Sequence, residues 1–98
     1  MHENYEFTME SGANASKDVT VYALSTCGFC RRGLQFLRDH DIAFKFIYVD
    51  KLSRDERFKI KRDLQDKYNE RVAFPFLIID GEVIVGFREE RWKEAFGV

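Results

Sequence analysis

The sequence predicts an α/β fold in which a four-stranded mixed sheet is packed against helices, in the order β, α, β, α, β, β, α over residues 18–98. Two observations carry this. Short β-branched and aromatic runs alternate with longer segments of helical periodicity, which makes the first strand–helix–strand unit a crossover with parallel strands. The last two apolar runs are separated only by a tight turn, which makes them an antiparallel hairpin.

Each element has its own signal. The run VTVYAL (19–24) is short and β-branched, a buried strand by composition. Ser25 and Thr26 suit a turn into a helix N-terminus, and Cys30, Gly33, Leu34 and Leu37 then recur at i, i+3, i+4 and i+7. With Arg31, Arg32, Gln35 and Arg38 off that face, the segment reads as an amphipathic helix over about 28–40. In AFKFIYVD (43–50), Phe44, Phe46 and Tyr48 fall on one face and Ile47 and Val49 on the other, a strand buried on both sides. SRDE (53–56) matches a capping box, and Ile60, Leu64 and Tyr68 form the buried stripe of a second helix reaching about Glu70. PFLIID (75–80) and VIV (83–85) make the hairpin around Gly81 and Glu82, and REERWKEAF (88–96) closes the chain as a short helix with Trp92, Ala95 and Phe96 together.

Residues 1–17 show no apolar face and end in a Ser, Gly, Ala and Asn cluster, which predicts a flexible N-terminal arm. Their Glu3, Glu6, Glu10 and Lys17 carry a net −2, leaving the remainder near +1 in a chain of net charge −1. That balance favours neither nucleic acid nor an anionic membrane as partner. The basic residues from Arg54 to Lys67 alternate with acids and read as a solvated helix face. No apolar run approaches the roughly 18 residues of a membrane span, and the basic and apolar regions of a signal peptide are missing. The expectation is a cytoplasmic monomer of one domain in a reducing compartment.

In that compartment the pair in STCGFC acquires its meaning. Structural disulfides are rare there, and a loop of two residues gains little from being closed. Zinc needs four ligands, and beyond the two thiols the chain offers only His2 and His40, so no metal is expected. Two unrelated buried cysteines are the plain alternative, but a C-x-x-C at a strand-to-helix junction is hard to reach by chance, which favours redox chemistry. Cys27 falls just before the helix, where unpaired N–H groups and the helix dipole favour a thiolate, whereas Cys30 lies on the apolar stripe with Leu34 and Leu37. A three-residue offset at a helix start also meets the roughly 4.4–6.8 Å Cα separation of a disulfide. Cys27 is thus the expected nucleophile and Cys30 the resolving thiol, cycling through a Cys27–Cys30 disulfide with no other cofactor. Phe29, between them, is an apolar contact for substrate. Pro75 lacks an N–H and must mark a strand start or a special turn.

From about Asp18 to its end the chain resembles the glutaredoxin family of the thioredoxin fold, through CGFC, AFPFLIID and VGFREERW. The resemblance implies the same roles for Cys27 and Cys30 in a protein-disulfide reductase, a cis Pro75 facing them, and a Phe74 backbone that pairs with bound peptide or glutathione. Gly86, Phe87 and Arg88 are similar to the GFR of NrdH-redoxins, which serve ribonucleotide reductase and are reduced by enzymes of the thioredoxin-reductase type. Leu24 stands where glutathione-using members have a basic residue, and Val85 to Arg88 replace a Gly-Gly-polar segment. Oxidised proteins are therefore the expected substrates, with a thioredoxin-reductase-type or ferredoxin-dependent reductase, or glutathione, as donor. The alternative implied by the resemblance is a glutathione-dependent enzyme or a [2Fe–2S] carrier, since CGF is shared with single-cysteine members that hold such a cluster.

Overall fold

The computed structural model describes His2 and residues 5–98 and consists of a five-stranded sheet with three helices. The elements are β1 (Thr8–Glu10), β2 (Val19–Ala23), α1 (Gly28–Asp39), β3 (Phe44–Tyr48), α2 (Arg54–Tyr68), β4 (Phe76–Ile79), β5 (Glu82–Val85) and α3 (Glu89–Phe96), with a single 3-10 turn at Val49–Lys51. The strand order is β1-β3-β2-β4-β5. Only β2 and β3 run parallel, across the α1 crossover; β4 is antiparallel to both β2 and β5. This is the thioredoxin-like arrangement, with one strand more than the four expected.

Side-chain alternation along the strands divides the core into two layers. Val19, Val21 and Ala23 of β2, Phe44 and Phe46 of β3, and Leu77 and Ile79 of β4 meet Leu34 and Leu37 of α1 and Trp92 and Phe96 of α3. On the opposite face Tyr22, Ile47 and Phe76 meet Ile60 and Leu64 of α2. Each fully buried aliphatic side chain here contributes about 1.5–3 kcal/mol. Phe36, which the helical stripe had not included, is also buried, against the rings of Trp92, Phe87 and His40.

The expected capping box at α2 is present: Glu56 N donates to Ser53 Oγ at 3.2 Å, and Ser53 N donates to Glu56 Oε1 at 3.1 Å. The hairpin differs in register by one residue. Ile79 pairs with Glu82, so the turn is Asp80–Gly81 and Glu82 begins β5. Both turn residues have positive φ, 50° and 84°, the requirement of a two-residue turn that matches the twist of its strands, and Asp and Gly tolerate it best.

The N-terminal arm is the larger correction. Part of it, residues 1, 3 and 4, lies outside the described residues. The rest is built into the domain: β1 pairs antiparallel with β3, aligning Thr8 with Phe46 and Glu10 with Phe44. Asn14 bridges Ile42, donating from its N–H to Asp41 O at 2.9 Å and accepting from Ala43 N at 2.9 Å. Gly12 permits this approach, since a Cβ there would lie 2.5 Å from Asp41 O. Glu10 receives both Nε and Nη2 of Arg38, at 2.8 and 2.6 Å. His2 is buried, with Nδ1 2.8 Å from the Tyr22 hydroxyl and Nε2 3.1 Å from Asp63 Oδ2. The segment looked featureless because β1 is an edge strand whose Thr8 and Met9 side chains are exposed, while its apolar alternation, Tyr5 and Phe7 against the α2-side core, is only two residues long; backbone pairing and long-range polar contacts do the rest.

Candidate active site

The end of β2 and the start of α1 place the two thiols. Cys27 is the N-cap of α1, with an extended backbone (φ −95°, ψ 119°), and its Sγ accepts the N–H of Cys30 at 3.1 Å. A sulfur at an N-cap takes the place of the usual Ser or Asp oxygen as acceptor of a first-turn N–H. Cys27 is half-buried; Cys30, one turn on, is only 1% exposed and packs with the α1 core.

Two contacts hold this geometry. The Leu24 N–H donates to Cys30 Sγ at 3.4 Å, and the loop between is clamped by Asp50, whose carboxylate accepts Ser25 N at 2.8 Å and Ser25 Oγ at 2.5 Å. Burial pushes the Asp50 carboxyl up, but the two Ser25 donors outweigh it and hold the group below its ordinary value. For Cys30, burial first, then the hydrogen bond with Cys27 and the nearby negative charge of Cys27 and Asp50, raise the thiol to about 12 against the opposing Leu24 N–H. Cys30 therefore rests protonated at neutral pH.

The Phe74–Pro75 bond is cis, as the family resemblance implied, and Pro75 is buried. Phe74 O lies 4.0 Å from Cys27 Sγ, which puts the peptide before the proline beside the nucleophile. Behind it, Gly86 N donates to Pro75 O at 2.8 Å and Trp92 Nε1 donates to Gly86 O at 3.1 Å. The chain Trp92–Gly86–Pro75 thus ties α3 to the wall of the site.

The expected site residues divide accordingly. Cys27, Cys30, Phe74 and Pro75 come together, and Gly86 supports them through its backbone. Phe29 is 58% exposed on the rim, beneath the Arg32 guanidinium at 5.4 Å from its ring centroid. Phe87 was expected as a substrate contact, but its ring is half-buried and directed into the core, 4.8 Å from Trp92 and 6.0 Å from Phe36. An aromatic ring gains more there than in water. Arg88 is exposed at the N-cap of α3, where it lines a groove of about 260 Å³ with Glu70, Val85 and Arg91 that does not include Cys27. The Asp50 clamp and the Trp92 link were not anticipated; the aspartate ending YVD and the lone tryptophan gave no local sign of their partners.

A dithiol with one member offered at a helix N-terminus and the other stored protonated beneath it, on this fold, defines a thiol–disulfide oxidoreductase. The glutaredoxin family profile matches residues 19–84, and the chain belongs to the glutaredoxin family. Among solved structures it is similar to the glutaredoxin of Methanosarcina mazei Go1, at 30% identity over 96% of this chain and 90% of that one, with a TM-score of 0.77. Methanoredoxin of Methanosarcina acetivorans matches at 31% identity over 93% and 96% of the two chains, with a TM-score of 0.81. The glutaredoxin grx-1 of Archaeoglobus fulgidus matches at 31% identity over 82% and 86%, with a TM-score of 0.70. No curated protein matches the sequence. Among the described residues no helix is long and apolar enough to cross a membrane.

Proposed function

We propose that this glutaredoxin reduces disulfides of protein substrates by a dithiol cycle and receives its electrons from a protein reductase rather than from glutathione. The Cys27 thiolate attacks one sulfur of the substrate disulfide, forming a mixed disulfide and expelling the other sulfur as a thiolate. Cys30 then loses its proton and attacks Cys27 Sγ, closing Cys27–Cys30 and releasing the second substrate thiolate. Two electrons from a reductase of the thioredoxin-reductase or ferredoxin-dependent type restore the dithiol. The observation that carries this reading is the 3.1 Å bond from Cys30 N to Cys27 Sγ above a buried Cys30, because it offers one thiol and stores the other.

The choice of donor rests on the rim. A glutathione site must hold two carboxylates and an ammonium group, through charged side chains or bare backbone. Leu24 is half-buried between the two core layers and offers no charge, and Val85 is a branched strand residue paired with Phe76. Arg88 brings a cation where an acceptor is needed for the ammonium group. The test supplies oxidised protein with glutathione and glutathione reductase, with NADPH and thioredoxin reductase, or with ferredoxin and its disulfide reductase. Turnover with either protein reductase is expected. Efficient saturable turnover with millimolar glutathione alone overturns the assignment of donor, and a visible absorption band in anaerobically prepared protein overturns the reading in favour of a cluster carrier.

A further inference from the structure

Two large side chains lie exposed on the surface that runs from the nucleophile onto α2. Phe29 is 58% exposed two residues after Cys27, and Phe58 is 71% exposed on the outer face of α2. They belong to one continuous path. Phe74 O stands 4.0 Å from Cys27 Sγ, Lys61 Nζ lies 6.0 Å from the Phe74 ring centroid, and Lys61, Arg62 and Phe58 line a single groove of about 400 Å³. An isolated exposed ring needs no explanation, but rings at both ends of a path through the reactive sulfur form a surface.

Its charge is predominantly positive. Arg54 and Arg62 stand one turn to either side of Phe58, Lys61 stands at i+3, and Arg31 and Arg32 follow Phe29. All five are exposed, and none is in an ion pair among the described residues. Two of the four acids of α2 are committed elsewhere, Glu56 to the capping box and Asp63 to His2; Asp66 in the groove and Asp55 in the first turn are outnumbered by the cations around them. A helix that looks evenly mixed in sequence therefore presents unpaired cations around an exposed ring.

We infer that this face of α2, with Phe58 at its centre, is the docking surface for an acidic protein partner whose disulfide enters at Cys27, with an apolar side chain of the partner against Phe58. The inference rests on the thiol–disulfide function proposed above and names the class of partner it takes. Continuity with the reactive sulfur favours a protein over a lipid surface. Opposite charge accelerates encounter in a salt-dependent way, and the ring supplies the short-range contact.

The test uses fully reduced protein in single turnovers against three oxidants: a disulfide-closed peptide with glutamates and a leucine beside its cysteines, the same peptide with lysines for glutamates, and bis(2-hydroxyethyl) disulfide. The expected second-order rate for the acidic peptide exceeds that for the basic one by about tenfold at low salt, converging in 0.5 M NaCl. Lys61→Glu with Arg62→Glu abolishes the preference, Phe58→Ala slows the acidic peptide several-fold, and neither changes the rate with the small disulfide. Equal peptide rates, or variants indistinguishable from wild type, overturn the docking face alone. Inertness towards all three oxidants overturns the catalytic reading instead, and the docking face is then decided by fluorescence anisotropy of a labelled, cysteine-free acidic peptide. Binding that the charge reversals remove upholds it, and no binding refutes it. Co-sedimentation with phosphatidylserine vesicles that the same substitutions eliminate, with no peptide preference, assigns the face to lipid and also refutes it.

Discussion

The backbone N–H of Cys30 donates to the Sγ of Cys27, so the residue that later resolves the mixed disulfide first helps to hold the attacking sulfur in place. The two thiols therefore have separable tasks. Cys27→Ser is expected to lose disulfide reduction altogether. Cys30→Ser keeps the backbone donor and is expected to accumulate a covalent complex through Cys27. Mass spectrometry of each variant after mixing with an oxidised protein checks this, and a complex through Cys30 in the Cys27→Ser protein reverses the roles.

Burial of Cys30 makes a second prediction with a defined pH window. At neutral pH iodoacetamide is expected to add once to the folded, reduced protein and twice in denaturant. Raising the Cys30 thiol from 9.0 to about 12 means that above pH 9 the unfolded chain binds fewer protons there than the native one. Stability contributed by the protonated thiol is full below pH 9 and is lost as pH rises from 9 towards 12, by up to about 1.4 kcal/mol per pH unit. The gap in thermal midpoint between reduced wild type and Cys30→Ala should shift against wild type across that range. A gap independent of pH contradicts the environment assigned to Cys30.

Gly33→Ala opposes helix propensity to packing, and packing should win. Alanine in a helix is favoured over glycine by about 1 kcal/mol. Its Cβ at this position, however, would lie 2.8 Å from Cη2 of Trp92, which is fully buried and anchored through Nε1 to Gly86 O. Overpacking of this kind costs about 1–3 kcal/mol, so a net loss of stability of up to about 2 kcal/mol is expected in urea unfolding. Because Trp92 supports Gly86 and so Pro75, the rate of disulfide reduction should fall as well.

The pair Glu10–Arg38 joins β1 to α1. Its hydrogen bond with Arg38, against a smaller burial effect, holds the Glu10 carboxyl below its ordinary value of 4.5. That stability is present above pH 4.5 and is lost as pH falls through the lowered value. The pair is partly exposed, so screening limits it to about 0.5–1 kcal/mol even with two-pronged geometry. Glu10→Gln should lower the thermal midpoint at pH 7 by a few degrees and have no effect near pH 2. An unchanged midpoint at pH 7 would show that β1 depends on backbone pairing alone.

Local signals explain which parts of this molecule were legible in its sequence. The strands β2 to β5, all three helices and the cysteine pair are encoded within a few residues each, as alternation, helical spacing, the Ser53–Glu56 box and the position of CGFC at a strand–helix junction. What escaped depends on partners far along the chain. Glu10 finds Arg38, Ser25 finds Asp50 and His2 finds Asp63, and none of these polar pairs imposes a period on its own segment. Phe87 misled for a related reason. An aromatic residue next to a site glycine looks available for a ligand, and only the positions of Trp92 and Phe36 turn it inward.

The tether from Trp92 to Gly86 also makes the protein a source of its own optical signal. The chain has a single tryptophan, and its indole is dry, flanked edge-on by Phe87 and bonded through Nε1 to one carbonyl. Its emission should lie at short wavelength and shift to the red only when α3 leaves the sheet, giving a global unfolding trace from one fluorophore. That same indole is two hydrogen bonds from Pro75, so a change in intensity without a spectral shift would report occupancy beside Cys27 in an unlabelled protein. Stopped-flow mixing with an oxidised substrate can thus time the arrival of a partner and, by wavelength, distinguish it from loss of the fold.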